Sequence, residues 1–304
     1  MTKHRAVNEY RISSGEYSAA ITARAAALRE LRYRERDLVV PFPAGGPIPD
    51  FRGIIAAPWP NRVADGRYTF DGTEFELPVN ETDRGCALHG LVFELDWTLE
   101  SHDGTSVTLS CTPEPTAGYP HALRIAVEYL LTDAGLHSRV TAANLGSTTA
   151  PYGVCPHPYL VAGASPLDEW TLELPAATFL EVTPDRLLPK DTRPVEGHPF
   201  DFRAPRPIGA TGIDHAFTDI AFDDAGHARV LVTDPGGTGV GMSWDSSCAW
   251  LQIHTADKEP PAANRLGLAV EPMSCPPDAF NSGTDLVRLG AGATHEAAWT
   301  IFAM

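Results

Sequence analysis

Cysteine is sparse in this chain and badly spaced for cross-linking. Cys86, Cys111, Cys155, Cys248 and Cys275 are odd in number and include no Cys-x-x-Cys pair, so neither a disulfide framework nor a thiolate zinc site is expected. No apolar run reaches the roughly 20 residues that span a bilayer. Met1-Thr2-Lys3-His4-Arg5 leads into no apolar stretch of signal-peptide length, which predicts a protein retained in the cytoplasm. Positive charge is also short: 23 Lys and Arg against 39 Asp and Glu give a formal net charge of -16. Such a chain repels phosphate backbones and anionic lipid, so neither nucleic acid nor a membrane is an expected partner.

Several catalytic signatures are missing too. No Gly-x-Ser-x-Gly elbow occurs, which removes the usual setting for a Ser-His-Asp hydrolase. Asp234-Pro235-Gly236-Gly237-Thr238-Gly239 is glycine-rich but lacks the Walker lysine and a following helix pattern, so it reads as a turn. No long stretch repeats its apolar residues at a helical period. The Ala- and Leu-rich segment from Ala19 to Arg32 imitates one and is read as strands.

What is present is a chain of 304 residues, 43% hydrophobic and 20% charged, able to bury a large core. Short apolar or alternating runs recur, among them Val107 to Cys111, Leu123 to Leu131, Ala249 to His254, Leu266 to Val270 and Ala297 to Phe302. Turn signals such as Asp71-Gly72 and Asp133-Ala134-Gly135 separate them. Prolines and glycines are scattered and mark no linker, and β-sandwiches often exceed the usual domain length. The expectation is therefore all-β: a large antiparallel β-sandwich forming one domain over 1–304, with residues 1–9 as a loose N-terminal arm. Thr183 to Pro207 and Ala256 to Ala263, both dense in proline, are expected to be loops, the second a candidate pocket wall.

Four segments set ionisable groups beside prolines, glycines and aromatics, a mixture suited to a ligand cleft. They are Pro58-Trp59-Pro60-Asn61-Arg62, Leu88-His89-Gly90, Pro156-His157-Pro158-Tyr159, and Val270-Glu271-Pro272 continuing to Pro277-Asp278 and Asn281. Glu271 closes an apolar run, where partial desolvation would raise its pKa and make it a better base near neutrality. His89 and His157 titrate nearest to neutrality and suit proton transfer. Two histidines and a glutamate also match a metal site by residue type. No His-x-His or His-x-x-x-His pair preorganises two ligands, however, and metal-free acid-base work is the favoured reading.

The order of these segments resembles the aldose 1-epimerase, or galactose mutarotase, family, from about Tyr17 to Phe302. Asn61-Arg62 with Gly66-Arg67-Tyr68 and Asp71-Gly72, Leu88-His89-Gly90, His157-Pro158-Tyr159, Asp214-His215-Ala216-Phe217, and Glu271-Pro272 with Pro277-Asp278 and Asn281 follow the family's motifs in order. The resemblance implies the galactose mutarotase-like supersandwich fold and interconversion of the α and β anomers of a hexose. It casts Glu271 as general base, His157 as general acid and His89 as the assisting histidine, with Arg62 and Asp214 binding sugar hydroxyls. Asn61 stands beside Arg62, and Trp59 or Tyr159 is an aromatic that would cover an apolar sugar face. No redox cofactor or metal is needed, and a monomer or homodimer is expected.

Pro156 and Leu160 stand where the family commonly has Asn and Phe, and Leu91 where it often has Gly. These departures touch the pocket lining and leave the proton carriers intact. Two alternatives stay open: a mutarotase for a phosphosugar or sulfosugar, with Arg52, Arg67 or Arg84 contacting the anion, and a sugar-binding or regulatory protein without catalysis.

Overall fold

The structure, a computed structural model, describes residues 8–259 and 263–304. Its strands follow from alternation. In Leu123–Thr132 every second residue from Leu123 to Leu131 is buried, while Arg124, Glu128 and Leu130 turn outward, the pattern of a sheet with one packed face. The chain returns as Gly135–Asn144, in register from Thr132↔Gly135 to Leu123↔Asn144. Both strands belong to a nine-stranded sheet that also holds Ser106–Cys111, Thr294–Ala303, Gly239–Asp245 and His227–Thr233.

A second sheet has six strands: β1 (Tyr159–Leu160), β2 (Ala176–Val182), β3 (Pro189–Pro194), β4 (Asp214–Ile220), β5 (Trp250–His254) and β6 (Leu268–Met273), in the order β1-β6-β5-β4-β2-β3. Phe217, Leu251, Ile253 and Val270 from one face of it join Leu109, Val127, Val140 and Ile301 of the nine-stranded sheet in one apolar cluster. The result is the large antiparallel β-sandwich expected. Among the described residues helix is confined to Ala279–Ser282 and two 3-10 turns, Pro49–Phe51 and Leu167–Glu169. None of it is long and apolar enough to cross a membrane.

The segment from Ala19 to Arg32 is a hairpin of Tyr17–Thr22 and Leu28–Tyr33. Its helix-like density of apolar residues arises because Tyr17–Thr22 is buried almost continuously. Two expectations are corrected. Thr183 to Pro207 is not all loop: Pro189–Pro194 forms the edge of the six-stranded sheet and Arg206–Pro207 an edge of the larger one, places where prolines are tolerated because edge N–H groups need no partner. The loose arm does not reach residue 9 either. Glu9 opens the strand Glu9–Ser14 opposite Thr22, and its carboxylate pairs with the buried Arg29; residues 1–7 lie outside the described residues.

Candidate active site

Period-two alternation also places the site. On β5, Leu251 and Ile253 enter the shared core, so Gln252 and His254 face the other way. On β6, Val270 enters it and Glu271 faces away. Asp214 at the start of β4 and Tyr159 on β1 share that outer face. There, sixteen side chains, these among them, enclose a cavity of about 290 Å³.

β1 and β6 pair as Tyr159↔Ala269 and Leu160↔Leu268. Their alignment persists beyond β1, with Val270 N–H donating to the Pro158 carbonyl at 3.2 Å and Ser274 N–H to that of Val154 at 3.0 Å. Counting along this register sets His157 across from Glu271, with Cys155 two residues on and on the same face. Glu271 thus lies within a strand and not at its end, opposite Gln252 of β5 and only 2% exposed.

The result is a tight cluster. Nε2 of His157 lies 3.4 Å from Oε1 of Glu271, and the Cys155 thiol lies 3.8 Å from Oε2. His89 meets His157 edge-on with ring centroids 4.9 Å apart, and Tyr159 stacks on His157 with centroids 5.5 Å apart. Gln252 donates to Asp214 at 2.7 Å, with His254 3.8 Å from the same carboxylate oxygen. Arg62 grips Glu81 through Nε and Nη2, each at 2.8 Å, and its Nη1 donates to Asn61 at 3.2 Å. The buried Nδ1 of His89 and Oε1 of Gln252 find no partner among the described residues. Buried polar atoms are ordinarily paired, so these two call for an explanation.

Burial decides the charges. It pushes the Glu271 carboxyl well above the usual carboxylate range, with Asp214 adding repulsion. It pulls His157 down to about 3, helped by His254, and takes His89 well below the ordinary histidine value, helped by His157 and Arg62. Burial thus favours the uncharged form of both groups, the state in which Glu271 and His157 hold a single proton between them, on the carboxyl. Burial works against the charge of Arg62, but Glu81, with Asp214 nearby, outweighs it and keeps the guanidinium above its usual pKa.

Backbone shape explains two of the loops. His89 has φ 59° and Asn61 φ 52°, a region where His and Asn are enriched among non-glycine residues. His89 N–H donates to the Asn61 carbonyl at 2.9 Å, which ties the two loops together. Gly90 is obligatory: at φ +77° its absent Cβ would lie 2.0 Å from the Ala57 carbonyl oxygen. Gly90→Ala is expected to destabilise by more than about 1 kcal/mol and to displace His89, lowering activity in the folded fraction. An unchanged melting temperature and rate would contradict this.

Of the residues expected from sequence, Glu271, His157, His89, Arg62, Asp214, Asn61 and Tyr159 all line the cavity. Trp59 does not. It is 2% exposed, donates its indole N–H to the Ala87 carbonyl at 3.3 Å and packs on Phe280, so it belongs to the core and covers no sugar. Arg67 lines a different surface hollow, and Arg52 is not among the cavity-lining residues, its guanidinium lying 5.6 Å from the Tyr159 ring. Sequence reasoning missed Gln252, His254, Asp50, Phe51, Glu81 and Lys258. The loop before Leu266 does form a wall through Asp257 and Lys258; its residues 260–262 lie outside the described residues. Among the described residues no group of three or more His, Cys, Asp or Glu side chains is arranged to hold a metal ion.

The family model described as aldose 1-epimerase matches residues 8–301. The chain belongs to the aldose 1-epimerase family. It is accordingly an isomerase that interconverts sugar anomers. It is 36% identical over 293 residues to the uncharacterized protein YihR of Escherichia coli K12, covering 96% of this chain and 92% of that one. Galactose mutarotase of Rattus norvegicus is 31% identical over 178 residues, 54% of this chain and 51% of its own. Among solved structures, a putative aldose 1-epimerase of Escherichia coli K12 superposes with TM-score 0.84 at 20% identity, covering 98% of this chain and 99% of its own. An aldose epimerase homologue from C. elegans gives 0.83 at 21%, covering 97% and 99%. At such identities these two likenesses speak for the fold alone.

Proposed function

We propose that this cavity opens and recloses the ring of a hexose, with Glu271 as base, His157 as acid and His89 assisting. The observation that carries the reading is the 3.4 Å approach of His157 Nε2 to Glu271 Oε1 at the floor of a polar cavity that opens to solvent. Passage of the shared proton from Glu271 to His157 prepares a carboxylate and an imidazolium. The carboxylate takes the proton of the C1 hydroxyl, the imidazolium protonates the ring oxygen, and the C1–O5 bond breaks to leave the aldehyde. Rotation about C1–C2 and reversal of both transfers close the ring on its other face. Arg62, Asp214 and the free Gln252 oxygen hold hydroxyls, and Tyr159 packs against His157. The experiment is a polarimetric panel over glucose and galactose, in which the protein accelerates anomer exchange of at least one.

The charge state predicts the pH profile. Activity requires one proton on the pair: a second proton, taken up by His157, ends it in acid, and loss of the only proton, from Glu271, ends it in alkali. Since burial pulls the first ionisation down to about 3 and raises the second well above its usual range, the bell for kcat/KM should be broad. Its acid limb is expected below the ordinary histidine range and its alkaline limb above the ordinary carboxylate range. An acid limb centred near an unperturbed histidine would contradict the shared proton.

One observation favours an anionic sugar as a second reading. Asp50 and Lys258 line the cavity and pair with each other, with Arg52 outside the lining on the same carboxylate, and Arg62 and Arg84, both in the lining, share Glu81. Each trio carries a formal excess of one positive charge, set beside Asp214 and Asp257 of the same lining, and that excess is where a phosphate or sulfonate arm would pair. Faster exchange of hexose phosphates or sulfohexoses than of the parent hexoses, lost in Lys258→Met, would decide for it.

A further inference from the structure

We infer that Cys155 is a positioning residue for the reaction, its thiol donating to Oε2 of Glu271 and so steadying the carboxylate while that group is charged. The inference rests on the base role proposed for Glu271. Its geometric basis is the register of the Val154–Leu160 segment along β6: a carboxylate opposite position 157 has positions 157 and 155 on its own face, one for each oxygen. His157 takes Oε1 at 3.4 Å and Cys155 takes Oε2 at 3.8 Å. The segment is anchored at the thiol, because Val154 N–H donates to the Ser274 hydroxyl at 2.9 Å and Cys155 pairs with Ala56.

Cys155 and Glu271 are both closed off from solvent, at 0% and 2% exposure. Burial, then the neighbouring Glu271, pushes the thiol well above its ordinary pKa, so it remains S–H and a donor throughout the working range. Other groups bearing on the Glu271 carboxyl are Asp214 from β4, which disfavours its charge, and Arg62, first residue of the strand Arg62–Ala64, which favours it. Tyr159 of β1 also lies within electrostatic range, and Gln252 of β5 is a neutral amide whose N–H is already given to Asp214. Among the described residues the thiol is the one neutral donor hydrogen-bonded to the base. Phe280, Trp59 and the sandwich core have no part in this contact.

A donor that stabilises the Glu271 anion acts twice. It raises the fraction of the pair in the carboxylate–imidazolium form, and it eases loss of the last proton in alkali. Cys155→Ala should therefore lower the kcat/KM plateau and move the alkaline limb upward by the same factor, about threefold and half a pH unit for a hydrogen bond of ordinary net strength. Cys155→Ser, which restores a donor, should bring both back to or past the parent values. A loss confined to packing would lower the plateau and leave the limb in place. The test is the pH profile of anomer exchange for the parent and both variants, with melting temperatures recorded alongside. Coupled shifts in Ala, reversed in Ser, support the inference; if Ala fails to fold, an alkaline limb in Ser at or below that of the parent supports it and one above overturns it. An unmoved limb in a folded Ala variant also overturns it. Should Glu271→Gln keep the parent rate and limb, the base reading fails and this one with it. If Glu271→Gln is inactive and Cys155→Ala is silent, only the role of the thiol falls.

Discussion

Glu271→Gln is expected to slow anomer exchange by about 10²- to 10⁴-fold, the contribution typical of a positioned acid or base, with little change in KM or melting temperature. Gln has nearly the shape of a protonated Glu, and the protonated form is what burial favours in the resting site. The substitution therefore leaves no buried charge unpaired and should cost little stability. What it removes is the ability to accept the C1 hydroxyl proton. Polarimetry on freshly dissolved α-glucose or α-galactose reads the rate, and a thermal melt reads the fold. A variant as fast as its parent would exclude Glu271 as the base.

The largest stability effect is expected at Arg62→Met. The Arg62 and Glu81 side chains are 9% and 12% exposed and joined by two hydrogen bonds. Removing the cation strands a mostly buried carboxylate, and breaking such a pair costs about 3 kcal/mol or more. Arg84, 3.1 Å from Glu81 but at the surface, holds the loss to the lower end of that range. Denaturant unfolding measures it. The double variant Arg62→Met, Glu81→Met should regain much of the loss, because no charge is then stranded, yet it should remain impaired in sugar binding. If the double variant were no more stable than the single one, the cost would lie elsewhere than in the stranded charge.

The site was legible where the backbone itself demanded special residues. Leu88-His89-Gly90 is marked by its glycine, because a Cβ at position 90 would lie 2.0 Å from the Ala57 oxygen, and Asn61-Arg62 by an asparagine at a positive φ of 52°. Glu271 was visible as a lone acid in an apolar strand. Gln252 gave the same signal within Trp250 to His254, but a neutral amide in such a run reads as a tolerated core residue. Asp50, Phe51 and Lys258 come from loops joined only by the fold, and no local pattern marks them. Trp59 failed for the opposite reason: it lies two residues from Asn61, yet its side chain turns into the core while theirs do not. The sandwich itself was readable from alternating runs, whereas Pro189–Pro194 was hidden because edge strands tolerate the very residues that signal a loop.

On β5 the residues that hold the molecule together and those that line the candidate cavity take turns: Leu251 and Ile253 point one way, Gln252 and His254 the other. Selection can therefore act on the two sets almost independently. Gln252 and His254 can thus change without disturbing Leu251 and Ile253 behind them, whereas Trp250, in phase with them, packs in a second apolar cluster and does not line the cavity. A single inserted residue, by contrast, would exchange the two sets at a stroke, and lineages should tolerate substitutions in this strand far more readily than changes in its length.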